Sequence, residues 1–147
     1  MNDTGNDFAA RMDGKFHGML QWKDLDTLWD KVRAMPEGWY ASLIGEEPAQ
    51  APMSAAALEK FVHEINTLLH HEHDHDYCGI VYVDDPASPS FIKIYDPHNL
   101  GTLCGSSGVR TPPRWVLSRV PPTLVADDAP LPNGRRRWWH GLFGLKP

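Results

Sequence analysis

The sequence predicts an α+β domain in which two helices pack on one face of a small antiparallel sheet of about four strands. Two apolar stripes at helical spacing come first along the chain, and short β-branched and aromatic segments follow them. The chain has 147 residues, 41% of them hydrophobic and 22% charged, which is ordinary for one globular domain. We therefore expect a flexible N-terminal arm over residues 1–15, a single domain over 16–122 and a Pro-rich, basic and aromatic C-terminal tail over 123–147.

The stripes and the β-rich segments place the individual elements. The first helix is expected over residues 24–34, where apolar side chains recur at i, i+3, i+4 and i+7. The second is expected to begin after Ser54, a suitable N-cap, and its apolar stripe ends at Leu69. Strands are predicted over residues 39–44, 78–83, 91–95 and 115–120. The Asp- and Pro-rich segment 84–89 predicts a hairpin between the second and third of these strands.

A run of imidazoles and carboxylates follows the second helical stripe. Its candidate ligands for a divalent transition metal, such as zinc, nickel or copper, are His70, His71, His73, Asp74, His75 and Asp76. If the helix continues through the run, His70 and His73 can meet, as can His71 and His75. The alternative is a solvated helix end, where histidines interact well with the negative end of the helix dipole.

The same run contains the pattern H-E-x-x-H, with Glu72 between His71 and His75. A zinc protease needs this pattern inside a long, packed helix. Here the apolar stripe has already ended, and a segment built from His, Glu and Asp produces the pattern by composition. We therefore do not assign protease chemistry to it.

A second chemical candidate is Cys104, which lies in the Gly-rich segment 103–108 after Asp96 and His98. A thiolate there could act as a nucleophile with a nearby histidine as base, so an enzyme with a reactive Cys104 thiol is one hypothesis. The segment lacks the lysine and the spacing of a P-loop, and it carries no cysteine-protease signature. In the structural alternative, the glycines form turns and Cys104 is a small buried hydrophobe.

The C-terminal tail combines cations with large apolar side chains. Its candidate partner-binding residues are Arg135, Arg136, Arg137, Trp138, Trp139 and Phe143. Arg and Trp are frequent anchors at interfaces, so a protein partner or a homodimer is expected. One alternative is that the aromatic side chains dock on the core of their own chain, and another is that the segment lies at an anionic membrane surface.

Charge is divided unevenly along the sequence. Residues 1–109 hold 7 basic and 17 acidic residues, a net charge of −10, whereas residues 110–147 hold 7 basic and 2 acidic residues, a net charge of +5. The acidic body argues against general nucleic-acid binding. The sequence has no apolar run long enough to span a bilayer, and with 2 cysteines it is not a disulfide scaffold, so a cytoplasmic protein is expected.

Gly38-Trp39-Tyr40-Ala41-Ser42-Leu43, the helix after Ser54 and the strand that ends at Asp85-Pro86 together resemble the JAMM (MPN) metalloprotease domain. That family carries a G-W-x-H-x-H strand, an S-x-x-D helix start and a later strand that closes on D-P. Its ligand histidines would fall on Ala41 and Leu43 and its aspartate on Ala57, so all three ligands are missing here. The resemblance, over about residues 38–97, implies a catalytically silent, protein-binding relative.

Three functional hypotheses follow from the sequence. The leading one is a small non-enzymatic accessory or interaction protein that uses the tail. The second is metal binding or metal delivery through the histidine run, and the third is an enzyme that depends on Cys104.

Overall fold

The computed structural model describes residues 8, 10–12, 14–44, 46, 48–73, 76–97, 113–123 and 138–139. Its elements, in chain order, are β1 (His17–Gly18), α1 (Trp22–Ala34), β2 (Tyr40–Leu43), α2 (Ala55–Glu72), β3 (Val81–Val83), β4 (Phe91–Ile94) and β5 (Trp115–Ser118). The strands form one antiparallel sheet in the order β1-β3-β4-β5-β2. The predicted α+β class is confirmed, and the fifth strand is the two-residue β1, which is too short to produce a sequence period.

Side chains make local hydrogen bonds to the backbone at the start of both helices. The backbone N–H of Gln21 donates to Oδ2 of Asp24 at 3.0 Å at the start of α1, and Asp24 also suits the positive end of the helix dipole. At the start of α2, Oγ of Ser54 accepts from the backbone N–H of Ala57 at 3.1 Å. The apolar stripes predicted from the sequence are the buried faces of the two helices.

The predicted hairpin joins β3 to β4, with Val83 opposite Ile92. Asp84 organises the connection, since its Oδ1 accepts from the backbone N–H groups of Ser90 and Phe91 at 3.0 and 3.1 Å. Because the side-chain period of a strand is two, this register sends Val81, Val83, Ile92 and Ile94 toward the helices.

The helices cover one face of the sheet, and the N-terminal segment covers part of the other. The helical stripes of α1 and α2 share one apolar core with the inward residues of β2 to β5. On the opposite face, Phe8 lies fully buried with its ring centroid 5.2 Å from that of Phe91, and Met12 and Phe16 pack beside it. Phe8 and Met12 come from the segment expected to be an N-terminal arm. This second layer explains why every residue of β5 is buried.

Part of the C-terminal tail contributes to the main core. Trp139 is buried, with its ring centroid 6.2 Å from that of Phe61 on α2. Trp138 is half-buried and lies edge-on to Trp115, at 5.9 Å between centroids. These two aromatic contacts attach the described part of the tail to its own domain.

A buried ion pair joins the end of β4 to the start of β5. Nε of Arg114 lies 3.4 Å from Oδ2 of Asp96, and the two side chains are only 2% and 1% exposed. The backbone of Arg114 is fixed as well, because its N–H donates to the carbonyl of Ile94 at 3.0 Å and its carbonyl accepts from Ile44 at 2.9 Å. The pair therefore lies at the base of the segment that connects the two strands.

Replacing Asp96 by alanine should lower the free energy of unfolding by about 3–5 kcal/mol, because the Arg114 guanidinium would stay buried without this carboxylate. Urea denaturation measures the loss. The matched control is Glu59→Ala, which removes an exposed pair: Nε of Arg33 lies 3.0 Å from Oε1 of Glu59, with side chains 38% and 57% exposed. That variant should lose at most about 1 kcal/mol, and equal losses in the two variants would contradict the role given to Asp96.

Candidate functional site

The structure divides the histidine run between the surface and the core. His70 and His71 lie in the last turn of α2 and are exposed. His73 is the C-cap of that helix and is buried, in contrast to a fully solvated helix end. Asp76 is exposed, whereas Asp74 and His75 lie outside the described residues.

His73 connects the end of α2 to the chain that enters β3. Its Nε2 lies 2.8 Å from the carbonyl oxygen of Cys78, and because a carbonyl only accepts, Nε2 carries the proton and donates. Its backbone N–H donates to the carbonyl of Leu69 at 2.8 Å and closes the helix. Nε2 of His73 is thus committed to the backbone and is not a metal ligand in this arrangement.

Aromatic rings surround this junction. The ring of Trp22, at the start of α1, stacks on that of His70 with centroids 4.0 Å apart and planes 28° apart. Trp22 also lies edge-on to His73 at 6.0 Å, and His73 lies edge-on to Tyr77 at 6.2 Å. The start of α1, the end of α2 and the entry to β3 therefore meet through ring contacts.

Large apolar side chains are exposed beside these rings. Leu20 is 66% exposed and Tyr77 is 58% exposed. The two are held close together, because the backbone N–H of Cys78 donates to the carbonyl of Leu20 at 2.8 Å. We call Leu20, Trp22, His70 and Tyr77 the histidine–aromatic surface. Large apolar side chains that are exposed close to one another are a feature of binding sites.

Three acidic residues lie close along the chain to members of this surface. Asp24 lies close by, since its carboxylate accepts from the backbone N–H of Gln21, between Leu20 and Trp22. Glu72 ends α2 two residues after His70, and Asp76 directly precedes Tyr77; both are exposed. The exposed ammonium of Lys23 is the counter-charge nearest along the chain among the described residues.

The metal hypothesis stays a prediction. Among the described residues there is no group of three or more His, Cys, Asp and Glu side chains placed to hold a metal ion. The H-E-x-x-H pattern does not lie within one helix, because α2 ends at Glu72 and His73 has left helical geometry, with φ −112° and ψ 78°. The two histidines of that pattern are thus not presented on successive turns of α2.

Only some of the remaining predicted site residues lie in the part of the chain that the structure describes. Trp138 and Trp139 pack on the core, as described above. Arg135, Arg136, Arg137 and Phe143 lie outside the described residues, and so does Cys104. The other cysteine, Cys78, is a fully buried free thiol, and burial raises its pKa above the usual value.

Sequence reasoning missed Leu20, Trp22 and Tyr77 as members of a site. Trp22 lies before the first apolar stripe, and Leu20 and Tyr77 lie outside the predicted elements. Each is a single apolar residue in a polar setting, which is common on protein surfaces. These three residues indicate a site only because the fold brings them close together.

No protein-family model matches the chain, and neither the curated proteins nor the solved structures include a significant match to it. The short resemblance to the JAMM domain is therefore not accompanied by a family match. None of the helices in the described part of the chain has the length and apolar character that crossing a membrane requires.

The variant His73→Ala should lose about 1–3 kcal/mol of unfolding free energy, because the buried carbonyl of Cys78 loses its donor. His71→Ala, in the exposed neighbour, is the control and should change the unfolding free energy by no more than about 0.5 kcal/mol. Urea denaturation of both variants makes the comparison. Equal effects would show that His73 does not hold the junction.

The thiol of Cys78 should react slowly in the folded protein, because it is fully buried and its raised pKa keeps it protonated at neutral pH. In a Cys104→Ser background Cys78 is the sole thiol. Labelling with a disulfide reagent at about pH 8 should be at least about a hundredfold slower in the native than in the urea-unfolded chain. Comparable rates would mean that the entry to β3 opens readily.

Proposed function

We propose that this protein is a non-enzymatic interaction protein that binds a protein partner through the histidine–aromatic surface. The observation that carries the proposal is the pair of large apolar side chains, Leu20 and Tyr77, held more than half exposed beside the stacked rings of Trp22 and His70. Burying such side chains against a partner releases ordered water and stabilises a complex. Aromatic residues of this kind are frequent hot spots at interfaces.

The rigidity of the surface supports binding. Trp22 is stacked on His70. The backbone segments that carry Leu20 and Tyr77 are joined by the hydrogen bond from the N–H of Cys78 to the carbonyl of Leu20. The buried side chain of His73 stabilises the same junction between α2 and β3 through its hydrogen bond to the carbonyl of Cys78. Groups that are already ordered lose little conformational entropy when a partner binds, so less of the interaction energy is offset.

The chemistry of the surface favours binding over catalysis. The described residues here bring together apolar rings, an aliphatic side chain and imidazoles, and His73 directs its Nε2 proton at a backbone carbonyl. A hydrolytic or transfer reaction would need a nucleophile within hydrogen-bond reach of a base. The buried thiol of Cys78 is held in its protonated form by burial, which makes it a poor nucleophile.

Different residues of the C-terminal tail have different roles in the proposed function. Trp138 and Trp139 are used in the contacts with Trp115 and Phe61, which supports an internal packing role for the two tryptophans. Arg135, Arg136, Arg137 and Phe143 stay candidates for partner binding.

Photo-crosslinking tests the proposed surface. With p-benzoylphenylalanine in place of Leu20 or Tyr77, irradiation of expressing cells should give a discrete crosslinked species, because both positions face the proposed partner. The control position is Met35, which is also a large exposed apolar residue at 47% exposure. It lies at the far end of α1, about 20 Å from Trp22 at the helical rise per residue.

A crosslink from Leu20 and Tyr77 that is absent from Met35 supports the proposed function. If all three positions give the same products, or if Leu20 and Tyr77 give none, the histidine–aromatic surface is not the binding site. Where Leu20 and Tyr77 give a specific crosslink, mass spectrometry of the isolated species identifies the partner.

A further inference from the structure

The strands β3 and β4 present different side chains on their two faces. The residues that face the helices are Val81, Val83, Ile92 and Ile94. Tyr82 stands opposite Lys93 in the register between these apolar pairs. Because neighbours along a strand point to opposite sides, Tyr82 and Lys93 lie on the face of the sheet that is turned away from the helices. Both side chains are half-buried there.

A groove of about 290 Å³ opens beside these two residues. The described residues that line it are Gly79, Ile80, Tyr82, Lys93 and Tyr95. The rings of Tyr82 and Tyr95 contact each other edge to face, with centroids 5.6 Å apart and planes at 80°. Gly18 of β1 pairs with Tyr82, and a Cβ atom at Gly18 would come within 3.1 Å of Cε2 of the tyrosine. The glycine therefore leaves room for this ring beside β1.

The ammonium of Lys93 is held at this groove by the N-terminal segment. Its Nζ donates to the carbonyl of Met12 at 3.1 Å and lies 3.9 Å from the centroid of the Phe16 ring. These two contacts fix the position of the ammonium and involve only neutral groups. The carboxylate of Asp96, which follows Tyr95 in the chain, is buried and paired with Arg114. Among the described residues that line the groove, Lys93 is the one with a charged side chain.

We propose that this groove binds a small aromatic carboxylate. A planar ring can pack on the two tyrosine rings, as aromatic groups do with one another. Its carboxylate can accept a charge-assisted hydrogen bond from Nζ of Lys93. A phosphate monoester carries a charge of about −1.5 to −2 and three acceptor oxygens, which a single ammonium satisfies less well. The groove shares no described residue with the histidine–aromatic surface, so this inference does not depend on the proposed function.

The volume of the groove limits the size of the ligand. Pockets for drug-sized molecules begin at about 300 Å³, so this groove suits a single ring with a short substituent. A ligand with so few atoms makes few contacts, and we expect a Kd of about 1 mM for an unsubstituted ring.

Titration of the ¹⁵N-labelled full chain with benzoate, followed by ¹H–¹⁵N NMR, tests the site. The backbone amide signals of Gly79, Ile80 and Tyr82 should shift and saturate with a Kd of about 1 mM. Benzamide keeps the ring and lacks the charge, whereas cyclohexanecarboxylate keeps the charge and lacks the aromatic ring. Each should bind at least about fivefold more weakly than benzoate, because each lacks one of the two features that the groove recognises.

Two variants assign these features to residues. Lys93→Met keeps an unbranched side chain and removes its charge, so it should weaken benzoate binding at least about fivefold and change benzamide binding by less than about twofold. Tyr82→Leu removes one ring and should weaken the binding of both ligands. The matched controls are Lys60→Met, at an exposed position of α2, and Tyr40→Leu, at a half-buried position of β2 on the far edge of the sheet. Both controls should change benzoate binding by less than about twofold.

A urea unfolding curve for each variant separates lost binding from lost folding, since Lys93 also contacts the N-terminal segment. If Lys93→Met does not fold, the comparison of benzoate with benzamide in the unaltered chain still decides whether charge is recognised. The inference is overturned if benzoate gives no saturable shifts up to about 20 mM, or if the shifts map away from residues 79–82 and 93–95. Equal affinity for benzoate and benzamide, or a folded Lys93→Met variant with unchanged benzoate binding, overturns it as well.

Discussion

Burial of the central strands on both faces is the constraint on which the rest of this structure depends. β4 and β5 lie inside the sheet, with α1 and α2 on one side and Phe8, Met12 and Phe16 on the other. A strand covered on both faces is mostly apolar, as Trp115, Val116 and Leu117 of β5 are. It also gives adjacent elements little freedom to shift, because protein interiors are close-packed.

The candidate site is a consequence of that packing. α1 and α2 are both held by their apolar stripes against the same face of the sheet, which brings the first residue of α1 to the last turn of α2. Trp22 then meets His70 at 4.0 Å, and His73 turns inward to the carbonyl of Cys78. The polar contact of His73 is buried and directional, so it fixes the chain where Tyr77 emerges. The exposed side chains are thus presented by a rigid frame.

Three of the buried polar residues among those described lie in connections between elements. His73 lies between α2 and β3, and the pair of Asp96 and Arg114 lies between β4 and β5. An apolar core tolerates the exchange of one apolar side chain for another of similar volume, whereas a buried hydrogen bond or ion pair is costly to break. These contacts fix how the elements connect, and the apolar stripes stabilise the elements themselves.

The sequence by itself determined the α+β class, both helices, the β3–β4 hairpin and the position of β5, because these depend on local periodicity and turn chemistry. It also marked the histidine run, although not that His73 turns inward. Only the tertiary structure decided the pairing of the two-residue β1, the burial of Phe8 and the convergence of Leu20, Trp22 and Tyr77. Those features join residues that are distant along the chain, and no local period records which distant side chains will share a surface once the sheet is packed.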